Sequence, residues 1–241
     1  MPMIAVNGTD VYYEIQGSGP SLLFIAGATG DAGHFEQVAD LLADEFTVVT
    51  YDRRGNSRSP RPAEWDSTSP EEQADDAAAL LAALALAPAA VFGNSYGAIF
   101  ALNLLIRHPE SVRGAILHEP PLLSVLERPE ETQAAVGAVV EEGMASGGPR
   151  AAVESFIRFA AGDANWESLE PNLRERMRGN GDTLFGVEMG QFEPYHPDDA
   201  TIAAISAPVQ VLVSEQSAPF FAEAAAWLAA RLGVEVVRTP G

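Results

Sequence analysis

The sequence predicts an α/β protein, a mostly parallel twisted sheet with helices on both faces and one helical insert. Three observations predict it. Short apolar runs alternate with helical patterns along most of the chain, the order that builds a parallel sheet through crossover helices. One run, Ser21-Leu22-Leu23-Phe24-Ile25-Ala26, is apolar on both faces, as a central strand covered on both sides requires. From Leu122 to about Ser206 strand-like runs stop, helical patterns between Gly/Pro breaks replace them, and alternation then resumes.

Taken in order, Met3 to Val6 and Val11 to Ile15 read as short strands around Asn7-Gly8, a strong hairpin signal. Gly17-Ser18-Gly19-Pro20 breaks the chain before the third strand, which ends in the flexible loop Gly27-Ala28-Thr29-Gly30. A helix follows with Phe35, Val38, Ala39, Leu41 and Leu42 on its apolar side. Phe46 to Tyr51 is the fourth strand, closing in the polar loop Asp52 to Ser59. Ser69-Pro70-Glu71-Glu72 has the capping-box form, with proline at the first helical position. That Ala/Leu helix stops at Pro88. An apolar run ending in Phe92 and a helical pattern from Ala98 come next, then a sixth strand from Val112 to Leu117, closing in His118-Glu119-Pro120-Pro121. After the insert, Val209 to Val213 is a strand, Phe220 to Leu232 a helix, and Val234 to Arg238 a last strand.

Composition narrows the function classes. The chain has 241 residues, 47% of them hydrophobic, enough for one sizeable core. All 14 basic residues are arginine and stand against 34 acids, and the net charge of −20 repels nucleic acid and anionic membranes. With no cysteine, thiolate metal sites, disulfides and cysteine nucleophiles are excluded. The four histidines are scattered without ligand spacing, so no metal is expected, and no cofactor. The N-terminus lacks a signal-peptide pattern and no stretch has the apolar length of a membrane span, so a cytoplasmic location is expected. The expected partner is a small-molecule substrate, with no nucleic acid and no membrane; a homodimer is left open.

Chemistry concentrates in Gly93-Asn94-Ser95-Tyr96-Gly97, between a strand and a helix. A G-x-S-x-G there is the pattern of a nucleophile held on a sharp strained turn. Flanking glycines remove the collisions that side chains would make with strand and helix. The hydroxyl of Ser95 then stands at a helix N-terminus, where backbone N–H groups and the helix dipole favour developing negative charge.

With these marks in the order Gly17-Ser18-Gly19-Pro20, glycine loop, Tyr51-Asp52-Arg53-Arg54-Gly55, elbow, and Ala207-Pro208 before the seventh strand, the chain resembles an α/β-hydrolase with a helical cap over nearly its whole length. The resemblance implies a core of residues 1–121 and 207–241 and a cap of residues 122–206 inserted after strand six. It implies Ser95 as nucleophile, with oxyanion donors at the N–H of Tyr96 and of Ala28, each contributing about 3–4 kcal/mol to transition-state stabilisation. Where the family often has His-Gly in that loop, this chain has Ala26-Gly27. Serine at the elbow argues against epoxide hydrolases and haloalkane dehalogenases, which resemble this shape with a carboxylate nucleophile. The cap aromatics Phe156, Phe159, Trp166, Phe185, Phe192 and Tyr195 become candidates for the pocket, about a third of them expected to touch substrate. His34, Trp166, Phe192 and Tyr195 are the expected substrate-binding residues.

The acid and base depart from the family pattern. Many relatives place an Asp after strand seven, where this chain has Ser214-Glu215-Gln216-Ser217. Other relatives place it after strand six, which points to Glu119, with Glu215 second and Ser217 read as a helix cap. The histidine that relatives carry after the last strand is not present before Gly241, and the natural protein is expected to continue with that histidine and a covering helix. His118 neighbours Glu119 but should point to the other side of its strand, His108 should lie on the surface, and His34 or His196 could face the pocket. The implied activity is hydrolysis of a carboxylic ester or lactone through an acyl-enzyme. The alternatives are carbon–carbon bond hydrolysis, suggested by Asn94 before Ser95, and a non-catalytic binding protein that keeps the pocket.

Overall fold

The computed structural model describes residues 2–240. Eight strands form one sheet: β1 Met3–Val6, β2 Thr9–Gln16, β3 Ser21–Ile25, β4 Thr47–Tyr51, β5 Ala89–Asn94, β6 Val112–His118, β7 Val209–Ser214 and β8 Val236–Thr239. Their order is β1-β2-β4-β3-β5-β6-β7-β8. The hairpin closes with Val6 opposite Thr9, and both turn residues, Asn7 and Gly8, have positive φ, as a two-residue primed turn needs. β2 runs antiparallel to β4, and every pairing from β4 to β8 is parallel.

Helices α1 Glu36–Leu42, α2 Pro70–Ala83 and α3 Tyr96–Arg107 connect the strands of the first half. Successive β3 residues go to opposite faces. Leu23 and Ile25 join the large core with Val49, Val91 and the buried sides of α2 and α3, whereas Phe24 and Ala26 pack with Phe35, Ala39 and Val48. A strand apolar on both sides therefore has both sides covered. Leu41, expected on the apolar side of α1, is 81% exposed. Val38, Ala39 and Leu42 form the buried stripe, and Leu41 lies about 100° around the helix from its centre.

At the start of α2 the Ser69 hydroxyl accepts from the Glu72 N–H, as the capping pattern predicts. The Glu72 carboxylate does not complete the box. It accepts instead from Trp65 Nε1, Thr68 Oγ1 and Arg54 Nη1, so it braces the loop before the helix. The last strand begins two residues later than its β-rich pattern predicts. Helix α10 Pro219–Leu232 ends on Gly233 at φ 68, and the Val234 N–H still returns to the Ala229 carbonyl.

Between β6 and β7 every element is helical: a short turn Leu123–Val125, then α4 Pro129–Ala161, α5 Asp163–Ser168, α6 Pro171–Gly179, α7 Gly181–Thr183, a wide turn Leu184–Glu188, α8 Met189–Phe192 and α9 Asp199–Ala203. α4 breaks at Gly147 and Gly148, whose backbones are non-helical, immediately before Pro149. Polar contacts fix this insert to the core loops. The Ser57 N–H donates to Asn180 Oδ1 (2.7 Å), Thr183 Oγ1 donates to the Gly55 carbonyl (2.7 Å), and Arg176 pairs with Asp31. Among the described residues no helix is long and apolar enough to cross a membrane, and no group of three His, Cys, Asp or Glu is placed to hold a metal ion.

Candidate active site

β5 ends at Asn94 and α3 begins at Tyr96, which leaves Ser95 alone on the turn at φ 54, ψ −125. A non-glycine residue is held there only where its surroundings over-determine the backbone. They do so here. The Ser95 N–H donates to the His118 carbonyl at 2.9 Å and ties the turn to β6, while the Ser95 carbonyl accepts from Ala98 at 2.8 Å and starts α3. A Cβ at Gly93 would run into the Gly97 carbonyl, and one at Gly97 into the Ile25 carbonyl, so the helix approaches the strands more closely than any side chain permits.

The loop after β3 lies against this turn: an added Cβ on Gly27 would come within 2.8 Å of Ser95 Cβ. Among the described residues neither the N–H of Ala28 nor that of Tyr96 has an acceptor. Both residues stand with Ser95 on the wall of a cavity of about 150 Å³. The wall is otherwise mostly apolar, with Leu123, Val136, Phe156, Phe159, Met177 and Phe221 closing it from the insert and α10. Two free donors beside a half-buried hydroxyl on the cavity wall at a helix N-terminus can hold an oxyanion.

Glu119 shares this wall. At φ 53 it has left strand geometry; its N–H donates to the Leu212 carbonyl at 2.9 Å. Its Oε1 accepts from the Ser217 hydroxyl and from the Ser214 N–H at 3.2 Å. Ser217 therefore serves Glu119 rather than α10, which starts after Ala218 without a side-chain cap. Glu215 is exposed on the turn after β7 and off the cavity wall.

None of the four histidines is hydrogen-bonded to Ser95 among the described residues. His118 Nε2 lies 3.9 Å from Glu119 Oε1, closer than strand alternation predicts, because Glu119 breaks the alternation with its positive φ. Its Nδ1 is 3.0 Å from Asn94 Nδ2 and its ring stacks on Phe92. Burial pushes the His118 imidazole below its ordinary pKa, against the opposing pull of Glu119. His34 is on the cavity wall, its Nδ1 without a partner among the described residues, and burial pushes its pKa down against the raising effect of Asp31. His196 is exposed, beside Ser124 and Trp227 and off the wall. His108 pairs with Asp75 at 2.7 Å.

Three expected substrate contacts are placed elsewhere. Trp166 is fully buried within the insert, beneath the guanidinium groups of Arg158 and Arg178. Phe192 packs edge-on against Tyr96 and Phe100. Tyr195 donates to Asn103 Oδ1 at 3.2 Å, and burial pushes its hydroxyl up to about 12. The rings of Phe192 and Tyr195 hold the insert to the core, Trp166 packs inside the insert, and none of the three reaches the cavity wall. Of the six insert aromatics, Phe156 and Phe159 do reach it. Sequence reasoning missed Glu193, a wall carboxyl that burial holds above its ordinary pKa, and Phe220 and Phe221, which look like core at the start of a helix.

Comparison with known proteins agrees with the fold. The family model for the alpha/beta hydrolase fold matches residues 20–144, just over half of the chain. The uncharacterized hydrolase YraK of Bacillus subtilis is 47% identical over 131 residues, 54% of this chain and 48% of that protein. The zearalenone hydrolase of Cladophialophora bantiana is 29% identical over 181 residues, 74% of this chain and 65% of that protein. The chain thus spans about half to two thirds of the length of these curated relatives. Among solved structures, an alpha/beta hydrolase from Sphaerobacter thermophilus superposes with a TM-score of 0.74 at 26% identity, covering 100% of this chain and 93% of the other.

Proposed function

The chain belongs to the alpha/beta hydrolase fold family, and from that premise we propose that it is a serine hydrolase of a carboxylic ester or lactone, working through an acyl-enzyme on Ser95. One observation carries the reading: Ser95 on its strained turn stands on a cavity wall beside two backbone N–H groups, Ala28 and Tyr96, that have no acceptor among the described residues. Such donors gain most when a carbonyl oxygen becomes an oxyanion, which is the requirement for lowering the barrier rather than the ground state.

In this reading the Ser95 oxygen attacks the carbonyl carbon, the carbonyl oxygen takes negative charge between the Ala28 and Tyr96 N–H groups, and the alcohol leaves. Water then attacks the ester on Ser95 and releases the acid. A base must take the serine proton, and Glu119 is the carboxylate placed to orient and stabilise that base as it becomes cationic. Ser217 and Ser214 hold its Oε1, which fixes the carboxylate on the cavity wall. The insert acts as the cap: Val136, Phe156 and Phe159 exclude water from the reacting carbonyl and favour an apolar acyl or alkoxy group. His34 is the polar wall residue proposed to meet the substrate.

Covalent labelling tests the reading. A fluorophosphonate should modify the protein once, at Ser95, and Ser95→Ala should abolish labelling without changing the melting temperature. Equal labelling with and without Ser95 overturns it, and a folded protein that resists the reagent even with imidazole supplied as the base leaves the cavity a binding pocket. Turnover of an aryl ester against a vinylogous diketone separates ester from carbon–carbon cleavage.

A further inference from the structure

The loop carrying the Ala28 donor is held from behind by a group that the acyl-transfer reading does not use. Arg53 is completely buried, and its Nη2 donates to the Gly27 carbonyl at 3.2 Å. Gly27 and Ala28 share one peptide, and that peptide is trans. In a trans peptide the C=O and N–H point in opposite directions. A donor that fixes the Gly27 oxygen on the Arg53 side therefore turns the Ala28 N–H to the other side. A charged donor on the oxygen also polarises the peptide and strengthens its N–H.

The guanidinium is itself fixed. Glu188, from the insert, accepts from Nη1 at 2.6 Å and Nη2 at 3.1 Å, in the two-pronged geometry that arginine and carboxylate share. Asn56 donates to the same carboxylate at 3.0 Å, Gln73 accepts from Nη1 at 3.2 Å, and the guanidinium carbon stands 5.0 Å from the centre of the Phe100 ring. Among the described residues Arg53 Nε has no partner. A fully buried ion pair with an unmet donor is a poor device for stability, since apolar residues of similar size commonly do as well. Two further insert side chains grip the same loop, Asn180 at the Thr29 carbonyl (2.9 Å) and Arg176 at the Asp31 carboxylate.

We propose that Arg53 is a positioning residue of the oxyanion hole: clamped by Glu188, it orients the Gly27–Ala28 peptide and makes donor geometry depend on the seating of the insert. This rests on the acyl-transfer reading. It differs from a purely structural role in one respect. Loss of the clamp lowers the rate of the chemical step and leaves initial binding alone, because the donor acts on the developing oxyanion.

The test uses the double variant Arg53→Met with Glu188→Leu, which leaves no unpaired buried charge, and the single variant Arg53→Lys, which keeps the charge but loses the planar two-pronged donor. Fluorophosphonate inactivation is measured against reagent concentration to separate the limiting rate from the half-saturating concentration. In the double variant the limiting rate should fall about tenfold to a hundredfold, less than the full loss of one donor, with half-saturation unchanged. Arg53→Lys should fall between it and the unmodified protein. A wild-type limiting rate in either folded variant overturns the proposal, as does a fall explained entirely by half-saturation. Failure of the unmodified protein to label even with imidazole supplied as the base is a different result: it removes the acyl-transfer reading itself, and this proposal with it.

Discussion

Adding one methyl group at Gly27 should separate the fold from the chemistry. An alanine Cβ there would lie 2.8 Å from Ser95 Cβ and 2.9 Å from the Asn94 carbonyl oxygen, 0.6 and 0.5 Å inside the 3.4 Å at which ordinary contact begins. The elbow cannot yield. Its N–H is tied to His118, and Gly97 already holds α3 against the Ile25 carbonyl. The loop after β3 must therefore retreat by about half an ångström, against the grip of Arg53 on Gly27 and Asn180 on Thr29. Overpacking of this kind costs ~1–3 kcal/mol of stability, so the protein should still fold. A donor bond stretched from ~2.9 to ~3.4 Å is nearly lost. Since one oxyanion donor is worth about 10²–10³ in rate, Gly27→Ala should slow fluorophosphonate labelling by about ten- to a hundredfold. Gly137→Ala, in α4 with nothing within 4 Å, is the control and should label normally and melt slightly higher. A folded Gly27→Ala protein labelling within about twofold of the unmodified rate would refute the placement of Ala28 as a donor.

Three further outcomes are expected. Added imidazole should accelerate aryl-ester hydrolysis by this chain, and Glu119→Gln should remove most of the gain, since an amide cannot stabilise an imidazolium; equal acceleration in both proteins excludes Glu119 as the partner of the base. Gly97→Ala drives a Cβ into the Ile25 backbone carbonyl and should cost more than ~4 kcal/mol in denaturant unfolding, so a midpoint within error of the unmodified protein would contradict the packing of α3 on β3. Burial raises the Glu193 pKa, so the neutral acid is favoured in the folded state; its stabilising contribution is complete at low pH and is lost as pH rises through the raised pKa. Glu193→Gln should accordingly melt like the unmodified protein near pH 4 and above it at neutral pH, and identical melting curves across that range would show Glu193 to be freely solvated.

Local rules account for what the sequence determined by itself. Strand and helix alternation, the Asn7-Gly8 turn, the Ser69 cap and the glycines around Ser95 follow from backbone sterics and periodicity, which act over a few residues and are written where they act. The elbow was legible for the same reason: its strain needs glycine at fixed offsets. Tertiary structure decided the rest, because partners far apart in the chain met only on folding. Ser217 reads locally as a helix cap, yet it lies 98 residues from Glu119 and donates to it, since β6 and β7 end side by side. Trp166, Phe192 and Tyr195 are apolar enough for either a pocket or a packing role, and only the tertiary structure assigned Trp166 to the interior of the insert and Phe192 and Tyr195 to its seam with the core. Arg53 lies in a polar loop, where an exposed cation is the ordinary reading; Glu188, 135 residues later, draws it into the core behind the Ala28 peptide. A side chain's chemistry is fixed by its residue type, but its partner is chosen by packing, and packing is a property of the whole chain.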